Sequence, residues 1–235
     1  MSERRLAIVG DIHGQVARLR DALALVTEPV EMLVLTGDLS LDPAPRRLGS
    51  VAEVLDAATS ALGCPVVYVP GNHDVSTPPR HATAVNVDGD RVAIAGWTIV
   101  GLGGAGPARF GFPYEWDEAT AARRIEHLAG GPLDVWLSHT PPLDTPLDRM
   151  AGDEHVGSDA VRNGLATLRP KLFVCGHIHE AHGSTVVDGV RAINAGSIGE
   201  PYAQTIAWVV GWDDGPVWIE SRRATSTGTR VERHA

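Results

Sequence analysis

Leu6-Ala7-Ile8-Val9-Gly10-Asp11-Ile12-His13 sets the pattern of this chain: an apolar run, a glycine, and then side chains that can bind metal ions. The apolar run predicts a buried β-strand, and the polar residues then lie on the loop that follows it. The pattern recurs at 32–38, 66–74, 135–139 and 172–179, with Ser138 in place of the glycine at 135–139. Loops at the carboxyl ends of strands converge on one crevice of an open α/β sheet, so we expect these side chains to meet.

The side chains on these loops carry oxygen or imidazole donors and no thiolate. Seven of them are candidate metal ligands: Asp11, His13, Asp38, Asn72, His139, His177 and His179. This donor set suits Mn, Fe or Zn in a catalytic site rather than a structural zinc ion in a cysteine cage. Two divalent ions bring four positive charges, and the two carboxylates leave about +2 for a bridging hydroxide and an anionic substrate. A phosphate ester carries the matching charge.

Strands and helices alternate in the first part of the chain, which favours a parallel sheet. We predict strands at 5–10, 31–36, 65–69, 133–138 and 171–175, and helices at 15–27, 45–62 and near 159–168. Two later pairs of strands, 183–188 with 190–194 and 206–212 with 216–221, flank turn sequences that are typical of hairpins. The length and the lack of a linker predict a single domain over 1–222, followed by a frayed tail over 223–235.

The composition of the chain disfavours several classes of function. The chain has 235 residues and a formal net charge of −9, without a basic run that would bind an extended nucleic acid. Its apolar runs are too short for a signal peptide or for a membrane span. The two cysteines, Cys64 and Cys175, make a disulfide framework implausible and lead us to expect a cytoplasmic protein. The sequence does not predict the oligomeric state.

The five motifs, taken in order, resemble those of the calcineurin-like metallophosphoesterase family. The family pattern is D-x-H, G-D, G-N-H-[DE], H and G-H-x-H, and the corresponding blocks here span residues 10 to 179. The resemblance implies an α/β fold, a four-layer αββα sandwich of two mixed β-sheets flanked by helices. The sequences Ser138-His139-Thr140-Pro141-Pro142 and Gly176-His177-Ile178-His179 are closest to the small phosphodiesterase-like branch of the family.

The resemblance also implies a role for each ligand. One ion, most plausibly manganese, is held by Asp11, His13, Asp38 and His179, and a second ion by Asp38, Asn72, His139 and His177, with Asp38 shared. The implied reaction is attack of a metal-bridging hydroxide on a small phosphodiester or phosphomonoester, with nucleotides and cyclic nucleotides among the possible substrates. His73 lies next to a ligand and is the expected general acid at the leaving oxygen. Asp74 and Asp42 are both candidates for orienting its ring.

Weaker patterns accompany these motifs. His155 and Arg149 follow His139 on a proline-rich stretch and are candidate substrate contacts. Gly101-Leu102-Gly103-Gly104-Ala105-Gly106 matches a dinucleotide fingerprint, but Pro107 and the sequence 110–113 after it do not begin a helix. We interpret this segment as a flexible loop beside the cleft that shapes specificity.

The main alternative to a metal-dependent phosphoesterase is a non-catalytic protein of the same fold that serves as a protein-interaction scaffold. An intact set of ligands with an intact His73 argues against it. A protein Ser/Thr phosphatase is disfavoured because the sequence after Asp38 lacks the G-D-x-x-D-R-G pattern. The net charge disfavours a DNA nuclease.

Overall fold

The computed structural model describes residues 3–41, 48–199, 202, 206–212 and 217–234. Within them the strands are β1 (Arg4–Val9), β2 (Met32–Leu35), β3 (Val66–Tyr68), β4 (Ala84–Asn86), β5 (Arg91–Ile94), β6 (Trp97–Leu102), β7 (Val135–Ser138), β8 (Leu172–Cys175), β9 (Gly183–Val187), β10 (Val190–Asn194), β11 (Ile206–Trp212), β12 (Trp218–Thr225) and β13 (Gly228–His234). The helices are α1 (Val16–Leu23), α2 (Val51–Leu62), α3 (Glu118–His127) and α4 (Asp159–Leu168), with a short 3-10 turn at His179–Ala181.

The strands form two mixed sheets. The first has seven strands in the order β13-β12-β11-β1-β2-β3-β4, and the second has six in the order β5-β6-β7-β8-β10-β9. In the first sheet β1, β2, β3 and β4 run parallel to one another, and in the second β6, β7, β8 and β10 do so. Each sheet therefore brings several strand ends, with their loops, to one edge.

Strand alternation divides the second sheet between two cores. Val135 and Leu137 of β7 pack into the core that also contains the first sheet, α1 and α2, whereas Trp136 packs into the core beneath α3 and α4. Successive side chains of a strand point to opposite faces, so one strand serves both cores. Trp97 of β6 and Trp212 of β11 join the sheets, with ring centroids 4.6 Å apart. The result is the four-layer αββα sandwich that the sequence motifs implied.

The prediction of a frayed tail from residue 223 is wrong for 223–234. Strand β12 extends to Thr225, and β13 pairs with it antiparallel from Gly228 to His234. The segment is polar and its side chains are largely exposed, so it lacks the alternating apolar pattern on which the sequence prediction relied. An edge strand needs only backbone partners on one side, and β12 supplies them.

Other elements were missed or shifted. The short strands β4 and β5 and helix α3 were not predicted. Helix α3 buries only Ala121 and Ile125, so its apolar period is weak. The predicted helix 45–62 is observed from Val51, where Ser50 and Glu53 form a capping box. Residues 42–47 lie outside the described part of the chain. Among the described residues, no helix is both long enough and apolar enough to cross a membrane.

Candidate metal centre

The motif loops of both sheets meet at one place, as the sequence predicted. Asp11, His13, Asp38 and His179 each offer a donor atom, and these atoms all lie within 4.8 Å of one another. Three of them follow strands of the first sheet, and His179 follows β8 of the second. The two sheets thus supply a single cluster across the interface between them.

The remaining predicted ligands lie beside this cluster. Nε2 of His139 is 2.9 Å from Oδ1 of Asn72 and 3.6 Å from Oδ1 of Asp38. The ring of His177 is 5.0 Å from the ring of His139, centroid to centroid. We call the seven residues together the floor of the site: Asp11, His13, Asp38, Asn72, His139, His177 and His179.

Glycines in the motifs are required by close approach between the loops. A Cβ atom added to Gly176 would collide with Oδ1 of Asp11, and one added to Gly71 would collide with Oδ1 of Asp38. A carboxylate from a neighbouring loop therefore occupies the space that a side chain would need. This explains why a glycine stands directly before the polar residue in these motifs.

The backbone of the floor is held in unusual conformations. His13, Asp38 and His177 have φ angles of 47°, 46° and 68°, in the left-handed region that non-glycine residues seldom adopt. Such conformations cost roughly 1–3 kcal/mol each and persist where the surroundings impose them. Here the amides of Ile12 and His13 both donate to the carbonyl oxygen of Asp38, which ties two of the loops together.

Each buried carboxylate of the floor accepts backbone hydrogen bonds. Asp11 accepts from the amide of His177 at 2.8 Å and from the hydroxyl of Thr36 at 3.1 Å. Asp38 accepts from the amide of His73 at 2.9 Å. These bonds fix the directions in which the remaining oxygen lone pairs point.

Burial controls the ionisation of the floor. Burial lowers the pKa of His13 to about 4 and that of His177 to about 3, so both imidazoles are neutral near pH 7 and keep a lone pair for a metal ion. Burial and the neighbouring carboxylate of Asp11 raise the pKa of Asp38 well above its usual range. A cation between the two carboxylates would stabilise their ionised forms.

The tautomer of His139 gives a test of whether a metal fits. Nδ1 lies 2.9 Å from the carbonyl oxygen of Thr36, which can only accept, so Nδ1 carries the proton. The lone pair on Nε2 then faces the oxygens of Asn72 and Asp38. Three electron-pair donors that converge without a hydrogen between them are stabilised by a cation, so the residues present fit a divalent metal ion.

His73 lies at the rim of the floor and is half-buried. Its ring packs edge-on against His13, with centroids 5.4 Å apart, and against Phe112 at 4.3 Å. Burial and the neighbouring His139 lower its pKa. Asp74 does not take the orienting role that the sequence left open, because its oxygens accept from the amides of Leu39, Ser40 and Gly71. Asp42, the other candidate, lies outside the described residues.

A cavity of about 430 Å³ opens above the floor. Its lining includes Asp38, Asn72, His73, His177 and His179, together with residues that sequence reasoning did not select: Arg109, Phe110, Phe112, Glu115, Met150, Glu154, Glu180 and Tyr202. The loop after β6 was expected beside the cleft, and its position there is confirmed. The Phe-Gly-Phe-Pro sequence of 110–113 was the available signal for an aromatic lining.

The two predicted substrate contacts are held elsewhere. Nδ1 of His155 lies 2.7 Å from a carboxylate oxygen of the buried Asp148, and Arg149 forms an ion pair with Asp153 at 2.6 Å. Neither His155 nor Arg149 is among the described residues that line the cavity. Arg109 lines the cavity instead.

Comparison with known proteins agrees with this geometry. Residues 4–181 match the sequence model of the family described as Calcineurin-like phosphoesterase. An uncharacterized protein of Methanocaldococcus jannaschii, MJ1162, is 27% identical over 197 residues, covering 77% of this chain and 86% of that protein.

Solved structures share the fold at low identity. The structure of TT1561 from Thermus thermophilus has a TM-score of 0.63 at 16% identity and covers 99% of both chains. Vacuolar protein sorting 29 from Cryptosporidium parvum has a TM-score of 0.55 at 14% identity, covering 99% of this chain and 97% of that one. Because the family model matches most of its length, this chain belongs to the calcineurin-like phosphoesterase family.

Proposed function

We propose that the protein is a metal-dependent phosphoesterase that hydrolyses small phosphodiesters, with two divalent ions on the floor of the site. The observation that carries this proposal is the convergence of buried carboxylates, an amide oxygen and imidazole nitrogens on one place. One set of ligands is Asp11, His13, Asp38 and His179, and the other is Asp38, Asn72, His139 and His177. Manganese is the proposed metal, with iron and zinc as the other metals that suit these donors. The free thiols of Cys64 and Cys175 support the expected cytoplasmic location.

The ions would polarise a phosphoryl oxygen and activate a water for in-line attack on phosphorus. Hydrolysis of a diester adds one water, breaks one P–O bond, and releases an alcohol and a phosphomonoester. The part of His73 is to donate a proton to the departing alkoxide oxygen. Its position at the rim of the floor, beside the open cavity, supports this role. The part of Arg109 is to draw the substrate anion into the cavity.

The charges around the cavity favour a diester over a monoester. Glu115, Glu154 and Glu180 line it together with Arg109 as the cationic side chain. A monoester dianion carries one more negative charge than a diester and is therefore repelled more strongly by this rim. We expect the manganese-loaded protein to hydrolyse bis(p-nitrophenyl) phosphate with a kcat/KM at least about tenfold above that for p-nitrophenyl phosphate.

A scaffold without catalytic activity is the second candidate, because some structures of the same fold are named for vacuolar protein sorting and not for a reaction. The same assay separates the two functions. Turnover that depends on added manganese and is abolished in Asp38→Ala supports the enzyme. No turnover of either ester by fully metal-loaded protein would contradict it and favour the scaffold.

A further inference from the structure

We infer that the cavity has a subsite for a planar aromatic ring carried by the leaving alcohol of the diester. This inference rests on the proposed function, because it takes His73 to lie beside the leaving oxygen. The observation behind it is an aromatic wall, which we define as Phe110 and Phe112. Both line the cavity together with His73.

The aromatic wall continues from the proposed proton donor. The ring of Phe112 lies 4.3 Å from that of His73, and the ring of Phe110 lies 6.0 Å beyond Phe112, centroid to centroid. A group bonded to the leaving oxygen therefore meets Phe112 first and Phe110 next. Because attack and departure are in line, the attacking water lies opposite the leaving oxygen, and the leaving alcohol is the substituent on the side of His73.

The wall is apolar, whereas the floor consists of charged and polar groups. Phe110 is 78% exposed and Phe112 36%. Exposed aromatic rings in a concave site are covered favourably by a ligand of similar polarity. Ring-to-ring contact stabilises a bound ring beyond the effect of the area that is buried, so an aromatic group gains over an aliphatic group of equal size.

The loop that carries the wall is fixed to the floor. The amide of Gly104 donates to the carbonyl of Pro70 at 2.9 Å, and the amide of Tyr114 donates to the carbonyl of the ligand Asn72 at 3.2 Å. The hydroxyl of Tyr114 donates to Asp88 at 2.6 Å, and Asp88 also pairs with Arg124. These bonds hold the two ends of the loop on the loop of Asn72, so the rings have a defined distance from the reacting phosphate.

The tip of the loop is braced as well. A carboxylate oxygen of Glu115 accepts from the amide of Gly111 at 2.7 Å, and the other from the amide of Phe110 at 3.2 Å. The Glu115 side chain thereby caps the turn between the two phenylalanines. Because the phenylalanine rings are already held in place, binding a ligand loses less conformational entropy than it would if the loop had to become ordered on binding.

The test compares two diesters that differ only in the leaving alcohol, benzyl methyl phosphate and cyclohexylmethyl methyl phosphate. Their alcohols have similar size, and because any difference in their acidity is the same for every variant, a preference that is lost in a variant reports the ring and not the leaving-group chemistry. For the manganese-loaded wild-type protein we expect kcat/KM to favour the benzyl ester by about fivefold, as one aromatic pair supplies. Phe112→Leu, which keeps apolar bulk without a ring, should bring that ratio to about one. Val231→Ala, an exposed apolar change on β13, is the matched control and should leave the ratio unchanged.

Binding is measured separately, so that failure of catalysis does not hide the result. The methyl esters of 2-phenylethylphosphonic acid and 2-cyclohexylethylphosphonic acid, in which a CH2 group replaces the leaving oxygen, serve as stable analogues, with dissociation constants from calorimetry. A ring preference in binding that Phe112→Leu removes supports the subsite even when neither diester is turned over, which would contradict only the proposed catalysis. Equal kcat/KM for both diesters, with equal binding of both analogues, would overturn the subsite and leave the proposed catalysis intact.

A third diester identifies the source of the ring. Methyl thymidine 5′-phosphate places a nucleobase, rather than a phenyl group, on the leaving alcohol. A preference for it over methyl ribose 5-phosphate that Phe112→Leu removes shows that a nucleobase occupies the subsite, since base-to-aromatic stacking tolerates every base. Absence of that preference, beside a retained benzyl preference, assigns the subsite to simple aryl groups.

Discussion

The floor of the site and its aromatic wall lie side by side and are built in opposite ways. The floor consists of buried polar groups that come from five loops of two sheets, and its geometry is imposed by backbone amides and left-handed residues. The wall comes from one loop, exposes apolar rings, and is held only at its ends and its turn. The comparison suggests that the floor sets the reaction and the wall selects the substrate. Changes in the floor should therefore affect every substrate, and changes in the wall only some.

The largest expected effect follows from removing the residue that the two ligand sets share. Asp38→Ala should lower the bound manganese from up to two ions per chain towards none and reduce kcat/KM for every ester by at least about 10³-fold. His13→Ala should remove mainly one ion. Elemental analysis after reconstitution measures both, and His127→Ala, an exposed histidine on α3, is the control. Full activity with a single bound ion, or equal loss of both ions in His13→Ala, would contradict the division into two sets.

The next effect concerns His73, where the floor meets the wall. His73→Asn should spare metal content and folding while it removes proton donation, so kcat for a poor leaving group should fall by roughly 10²–10⁴. For p-nitrophenolate, which departs without a proton, the loss should be smaller. Steady-state kinetics on an alkyl and a nitrophenyl diester give the comparison. An equal loss on both would mean that His73 stabilises charge on the phosphoryl group, and unchanged rates would remove it from the reaction.

A third prediction tests how firmly the floor is braced from behind. Asp74 is buried, and Asp74→Ala would leave the amides of Leu39, Ser40 and Gly71 without their acceptor. We expect the free energy of unfolding of the metal-free protein to fall by about 3 kcal/mol, measured by urea denaturation. Asp74→Asn keeps one acceptor oxygen and should lose less. A loss below about 1 kcal/mol in Asp74→Ala would show that solvent or rearranged loops satisfy these amides.

The floor was readable from the sequence because its chemistry is concentrated in short motifs. An apolar run followed by Gly and Asp or His predicts both the strand and the position of the side chain at its end, and all seven predicted ligands lie together in the structure. Even the glycines carry information, since Gly71 and Gly176 stand where a neighbouring carboxylate leaves no room. What the motifs do not encode is the left-handed backbone of His13, Asp38 and His177, which results from the loops contacting one another.

The wall and the edge of the first sheet were not readable in the same way. Phe110 and Phe112 do not belong to a recognisable motif. Their position at the cavity depends on hydrogen bonds from their loop to Pro70 and Asn72, which are distant in sequence. His155 and Arg149 looked closer to the site along the chain, but Asp148 and Asp153 hold them. The strand β13 was missed because backbone pairing with β12, rather than an apolar pattern, forms it. Long-range pairing of this kind leaves little trace in local sequence.

The smallest expected effect separates charge selection from ring selection within the cavity. Glu154 lines the cavity and is exposed to solvent, which screens its charge. Glu154→Gln should therefore raise kcat/KM for the dianion of p-nitrophenyl phosphate by only about threefold and leave bis(p-nitrophenyl) phosphate nearly unchanged, an effect that added salt should diminish. Glu126→Gln on α3 makes the same change of net charge away from the cavity and is the control. A rise of equal size on both esters would show that Glu154 acts through the shape of the cavity and not through repulsion. If kcat/KM rose for neither ester, the preference for diesters would come from the floor alone. The cavity would then select substrates by their aromatic ring, through the wall, and not by their charge.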